Sequence, residues 1–405
     1  MKSLILAATA FCLLSAGTGR AQTLTPEITS WLMNPGGETG YDNIATNVQQ
    51  VQYSDQNVYV SCTCIPGYDI GPWAGNPNVP ANQNFVFKIT RHPQKNTGTP
   101  VVTPLGHIGT WINGVSIFNA KDAMSYQNKN IWHQDALVFE GSSFDECLGH
   151  PAPNGEYHHH VNPTCLYDDL DSSQHSPVIG FAFDGFPIYG AWGFANADGT
   201  GGIKRMIPGY RKRNITQRTT LPDGTVLTSD KYGPAVSNDF PLGSYIEDYE
   251  FDAGFGDLDE HNGRFCVTPE YPAGIYAYFV TIDASGNPVY PYTLGPTYYG
   301  TVPAGNTGPQ SGHNVPAEPV TTYVIVTSTG EAGAAEIGMF PNPASDRLVV
   351  KCDKSLIFRV FNLSGRQVAT GRTNSPLDLS GWHRGLYLIS FDENCRISPV
   401  SFVKE

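Results

Sequence analysis

The sequence predicts a mainly β protein: a large β-rich, sandwich-like domain with long loops, followed by a small C-terminal β-sandwich. Three observations carry this. The 405 residues include 43 Gly and 31 Pro, spread without a period, which supplies turns rather than repeats. Aromatic residues are plentiful, with Tyr at 21 and Phe at 20, while charged residues make up only 15%. Apolar residues also fall in short strand-like runs, at 51–60, 85–89, 109–118, 179–188 and 275–281. The clearest helical period lies at 131–140, where Ile131, Leu137 and Val138 share one face.

The N-terminus reads as an export signal. Lys2 precedes an apolar stretch at 4–14, and Ala16, Gly17, Gly19 and Ala21 supply small residues, which predicts a signal peptide over 1–21 cleaved after Ala21. The stretch is too short for a membrane span. Loss of Lys2 and Arg20 leaves 22 basic residues against 37 acidic, a net charge near −15. That charge argues against nucleic acid as a partner and against an anionic membrane surface. Seven cysteines remain in the mature chain: Cys62, Cys64, Cys147, Cys165, Cys266, Cys352 and Cys395. Export favours disulfides, and the odd count leaves one sulfur without a bridge.

Small residues at 328–336 mark a linker between a central domain at 22–327 and a C-terminal domain at 337–405. The tail carries Phe340-Pro-Asn-Pro-Ala-Ser-Asp-Arg-Leu348, then Phe361-Asn-Leu-Ser-Gly-Arg366, then Asp378-Leu-Ser380 leading to Gly385-Leu-Tyr387. Apolar runs at 357–361, 386–391 and 397–403 read as strands of a small antiparallel sandwich, and Cys352 and Cys395 are placed to staple it. The three ordered motifs resemble the type A C-terminal sorting domain of the type IX secretion system, with Phe340 where the family usually has Tyr. The resemblance implies the type IX machinery as a partner, passage across the outer membrane, removal of the tail, and a secreted or cell-surface protein.

Chemistry concentrates between Asp145 and Tyr189. Asp145-Glu-Cys-Leu-Gly-His-Pro151 is followed by Gly155-Glu-Tyr-His-His-His160, so four of eleven histidines fall within eleven positions. In an extended strand alternate side chains share a face, so His158 and His160 point one way, and Tyr157 and His159 the other. A turn at 151–155 brings back His150 as a third imidazole. His150, His158 and His160, with Asp145 as a carboxylate ligand or acceptor, form a candidate site for a transition metal, zinc or copper first. Glu140, Asp145, Glu146 and Glu156 are the nearby acids available as a base. Cys147 and Cys165 flank the segment and would close a loop of 18 residues; Cys147 as a ligand, or paired with Cys62, Cys64 or Cys266, is the alternative. Asp184, in the turn after a buried strand, together with His175 and Tyr189, is a candidate for orienting the ligands. Asp257, Asp259 and Asn262 lack the Gly and Glu of an EF-hand, which leaves at most an irregular calcium loop.

These residues also resemble the YHYH family, whose tetrad is here Tyr157-His158-His159-His160, with His159 replacing the second Tyr. Matching stretches include Ile65-Pro-Gly-Tyr-Asp-Ile-Gly-Pro-Trp73, Asn113-Gly-Val-Ser-Ile-Phe-Asn119, His175-Ser-Pro-Val-Ile-Gly-Phe-Ala-Phe-Asp-Gly-Phe-Pro-Ile-Tyr-Gly190, Asn262-Gly-Arg264, Tyr276-Ala-Tyr278 and Leu294-Gly-Pro296. The resemblance spans about 50–300 and brings no mechanism. Two functions follow as expectations. One is a secreted metal-binding protein, or a metalloenzyme with a position open to water. The other is a non-catalytic surface protein that binds a glycan or protein, its histidines structural. Extracellular material is expected to begin at Gln22 and to lack a C-terminal piece starting near 328–340. Intact mass reads both ends, and a secreted form that retains Met1 or Glu405 contradicts the corresponding cleavage.

Overall fold

The computed structural model describes residues 24–308, 310–324, 337–352, 355–362, 365–391 and 400–405. The segment read as a signal peptide, the 328–336 linker and Cys395 lie outside the described residues. The chain divides into two compact units between Tyr323 and Val324.

The first unit follows α1 (Pro26–Thr29) with a hairpin of β1 (Val48–Tyr53) and β2 (Asn57–Cys62), and then β3 (Phe85–Thr90). The 51–60 run is therefore two strands, because the chain turns at Ser54, whose hydroxyl accepts from the amides of Gln56 and Asn57. Next come β4 (His107–Trp111) and β5 (Ser116–Phe118), divided by Asn113-Gly114, where Gly114 takes φ +79. A small ribbon pairs β6 (Lys121–Ser125) with β7 (His133–Asp135), and α2 (Ala136–Phe139) follows. The helix predicted over 131–140 is thus a single turn. Residues 133–135 are drawn into pairing with β6, and Asp135 caps the turn by accepting from the amides of Leu137 and Val138.

The chain continues through β8 (Gly149–Pro151), β9 (Tyr157–His159), β10 (Val178–Ala182), β11 (Pro187–Tyr189), β12 (Trp192–Phe194) and β13 (Ile203–Arg205). It then forms β14 (Tyr210–Lys212), β15 (Tyr249–Phe251), β16 (Gly263–Cys266), β17 (Ile275–Phe279) and β18 (Thr321–Thr322). One sheet runs β18-β1-β2-β3. A mixed sheet of eight runs β16-β17-β11-β10-β4-β5-β9-β8, with β11–β17 and β5–β9 parallel. Val51, Val60, Phe87 and Ile89 of the first sheet share a core with Phe181, Tyr189 and Phe279 of the second, so the two pack as a sandwich. The outer face of the larger sheet is covered too: Ile117, Tyr157, Ile179 and Ile188 pack with Leu294 and Tyr298 from the loops. Each fully buried side chain of this size stabilises the fold by roughly 1.5–3 kcal/mol.

The second unit holds β19 (Gly338–Phe340), β20 (Arg347–Lys351), β21 (Ile357–Asn362), β22 (Gln367–Arg372), β23 (Pro376–Asp378), β24 (Gly385–Phe391) and β25 (Val400–Lys404). Sheets β19-β20-β23 and β22-β21-β24-β25 enclose Leu348, Val350, Phe358, Val360, Ile389 and Phe402. Burial alternates along β20 and β21, as expected where one face of a strand meets the core and the other water. Cys352 is buried beside β20.

The long connection between β14 and β15 is organised by one guanidinium. Arg218 is fully buried and pairs with both oxygens of Asp248 at 2.7 Å. Its remaining N–H groups go to the carbonyls of Pro234, Phe240 and Pro241, and it lies 4.9 Å over the Tyr245 ring. Arg218→Ala leaves Asp248 without its counterion inside the protein. The expected loss is about 3–5 kcal/mol in urea unfolding, against under about 1 kcal/mol for Arg211→Ala in the exposed pair with Glu250.

Candidate metal centre

β8 and β9 form a hairpin with Gly149 opposite His159, His150 opposite His158 and Pro151 opposite Tyr157. Its turn requires glycine at 155: φ is +81, and a Cβ there would stand 2.9 Å from the Val79 carbonyl oxygen. On its other edge β9 pairs in parallel with β5, Ser116 opposite His158. With both edges paired, the strand is extended and alternation applies. His150 and His158 face each other across the ladder, and His160 follows on the same face. The Nε2 atoms of His150 and His158 are 3.1 Å apart, as are those of His158 and His160. Among the described residues this is the one group of three His, Cys, Asp or Glu side chains placed to hold an ion, with its three donor atoms within 4.8 Å of one another.

The partners of the Nδ1 atoms assign the tautomers. His158 Nδ1 lies 3.0 Å from the Glu156 carbonyl oxygen, and His160 Nδ1 lies 2.6 Å from that of Asn119. A carbonyl only accepts, so both Nδ1 atoms carry the proton. Ser143 Oγ donates its single proton to the Glu140 carbonyl at 2.8 Å, so it accepts from His150 Nδ1, also at 2.8 Å. Three neutral imidazoles therefore aim three bare Nε2 lone pairs at one point. Burial, reinforced by the neighbouring rings, pushes His150 down to about 4 and His160 down to about 3, and holds His158 well below the usual range. Phe118 stacks on His158 at 3.8 Å, and Phe144 stands edge-on to His150 at 4.8 Å.

Glu140, the residue that ends α2, reaches the solvent side of the cluster. Its Oε2 is 3.5 Å from His160 Nε2 and 3.9 Å from His150 Nε2. Burial, then the nearby Asp122, raises its carboxyl to about 7. Of the four acids named from sequence, only Glu140 approaches the imidazoles. Glu146 is exposed, and Glu156 bonds His107 at 2.8 Å.

Asp145 is not a ligand in this arrangement. Its carboxylate accepts from the amides of Gly71, Cys147 and Gly149, from Trp73 Nε1 and from the Tyr157 hydroxyl. It thus serves the opposite face of β9, the one bearing Tyr157 and His159. His159 is fully buried there and packs on Tyr157 at 5.3 Å. The residues read as orienting the ligands lie elsewhere. Asp184 accepts from the Tyr278 hydroxyl and the amides of Gly300 and Phe186. His175 bonds the Ser176 carbonyl, and Tyr189 bonds Thr268 and Glu270. The groups that do orient the imidazoles are Ser143 and two backbone carbonyls. Sequence carries no mark for a carbonyl, and Ser143 has no motif around it. Asp257 is paired with Lys204, and Asp259 closes its own turn by accepting from the amides of His261 and Gly263.

Cys147 and Cys165 form a disulfide with Cα atoms 5.1 Å apart. Cys62, Cys64 and Cys266 are buried thiols, and burial pushes Cys62 up to about 12.

The first unit is thus a two-layered β domain with a buried three-imidazole cluster, and the second is a small β-sandwich. Residues 86–290, just over half the chain, match the family model described as YHYH protein, and the chain belongs to that family. Residues 338–403 match the secretion system C-terminal sorting domain, which marks a secreted or cell-surface protein handled by the type IX machinery. No helix among the described residues is long and apolar enough to cross a membrane. Neither the curated proteins nor the solved structures hold a match to this chain.

The bridge closes a loop of 18 residues that contains both His158 and His160. Replacing Cys147 and Cys165 together with Ser is expected to lower unfolding stability by about 3 kcal/mol, read from the denaturant midpoint. Non-reducing peptide mapping of the parent should recover the 147–165 pair and no pair with Cys62, Cys64 or Cys266.

Proposed function

We propose that this exported protein binds one transition-metal ion, zinc or copper, through Nε2 of His150, His158 and His160. The observation that supports the reading is the convergence of three lone pairs with no proton among them. Bare lone pairs at 3.1 Å repel, and a cation at their centre turns that repulsion into three bonds. The spacing suits it, since ligands at 2.0–2.1 Å from a tetrahedral ion lie about 3.3 Å apart. Nδ1–H groups held by Ser143 and two carbonyls are the outer contacts that such ligands require. The test is metal content per chain in protein purified without a histidine tag. Near one ion is expected for the parent, with strong loss in His150→Ala, His158→Ala and His160→Ala. His159→Ala, on the other face, should keep its ion, with circular dichroism confirming the fold of each variant. A folded parent without metal overturns the reading.

A catalytic version is favoured by one further contact, the Glu140 carboxylate beside His160 and His150. Three imidazoles leave a position for water, and a metal there would make that water more acidic, next to a carboxylate able to take the proton. In that version Glu140→Gln keeps the ion and loses hydrolytic activity; a variant with unchanged activity removes Glu140 from the chemistry.

A further inference from the structure

A cleft of about 460 Å³ in the first unit lies apart from the imidazoles. One wall is the ribbon of β14 and β15, in which Tyr210 faces Phe251 and Lys212 faces Tyr249. Alternation puts Tyr210, Tyr249 and Phe251 on one face, and all three are partly exposed. Behind them Tyr290 is buried. It stacks on Tyr249 at 4.1 Å and 13°, and meets Tyr210 edge-on at 5.2 Å. The aromatic wall is therefore held rigid from beneath. The cleft is also lined by Lys121 of β6, His133 of β7, Glu247 and the exposed Asp223. Glu247 is fixed in place, accepting from His133 Nδ1 at 2.6 Å and from the His133 amide at 2.8 Å.

The lining narrows the ligand by elimination. Carboxylates of Asp223 and Glu247 oppose a polyanion, and the Lys121 ammonium opposes a polycation. An apolar ligand would strip water from the charged groups without replacing their hydrogen bonds. What remains is an uncharged molecule with apolar C–H faces for the rings and many hydroxyls for the carboxylates and the ammonium group. The volume lies within the range of small-molecule sites, roughly 300–1,000 Å³. We propose that this cleft is a binding site for a neutral glycan, distinct from the three-imidazole cluster. The two sites lie close along the chain, since Asn119, whose carbonyl holds His160, is two residues from Lys121. They share no side chain, so this proposal stands without the metal.

The experiment is affinity electrophoresis of the intact protein in native gels cast with dextran, laminarin, xylan, mannan or galactomannan, beside gels with dextran sulfate or polylysine. At least one neutral polysaccharide is expected to retard the parent. Asp223→Ala combined with Lys121→Ala, both at solvent-facing positions, should weaken that retardation at least tenfold. Tyr249→Ala should abolish it while circular dichroism shows the fold retained, and His158→Ala should leave it unchanged. If Tyr249→Ala does not fold, the double variant decides. Retardation by no neutral polysaccharide overturns the proposal. So does retardation by the charged polymers alone, or retardation equal in the parent and the double variant.

Discussion

The site depends on where three protons sit. Each imidazole of the cluster gives its Nδ1 proton to an acceptor that has no choice of role: two backbone carbonyls and a serine hydroxyl whose own proton is already committed. Everything chemical about the cluster follows from this. Flip one ring, and a donor would occupy the shared centre. Protonate one, and a charge would stand in a pocket walled by Phe118 and Phe144. The surrounding structure reads as a device for keeping three rings in one orientation, with the hairpin ladder setting their spacing and the aromatic walls setting their planes.

The sheet makes that orientation stiff. β9 is held on one edge by β8 and on the other by β5, so it cannot slip by a residue without exchanging its two faces. Its two faces do different work. The imidazole face meets Phe118 and α2, while the Tyr157 face is tied to Asp145, whose five donors draw in Gly71 and Trp73 from a distant loop. Asp145 thus supports the cluster from behind. The three rings are thereby ordered in the folded chain itself, so the entropy of ordering them has been met in folding.

Much of this was legible in the sequence, and the reasons are particular. His158 and His160 could be assigned to one face because period two is a property of any strand. His150 could be added because Pro151 and Gly155 mark a tight return. The mainly β class followed from the turn and aromatic composition. Asp145 misled because a carboxylate two residues before a cysteine and five before a histidine looks the same whether it binds an ion or caps a loop; only the five donors around it decide. The 131–140 helix failed because tertiary pairing with β6 outweighed local periodicity. Glu140 was one acid among four, and its selection came from the short turn of α2, which no single-residue signal announced. Arg218, central to the 213–248 connection, was invisible, since a buried arginine is written with the same letter as a surface one.

The three buried thiols bear on the order of events in export. This chain is carried to the cell exterior, through compartments that oxidise cysteine. Once folded, Cys62 is held as the thiol, because burial pushes it up to about 12. Cys64 is shifted in the same direction, with its sulfur against the Tyr157 carbonyl and the Ser116 hydroxyl. Exchange with these sulfurs is then shut off by burial rather than by pairing. Before folding, however, both are ordinary thiols and compete with Cys165 for Cys147. Closing the sandwich over Cys62 and Cys64 removes them from that competition, so the packing of the core also favours the Cys147–Cys165 crosslink.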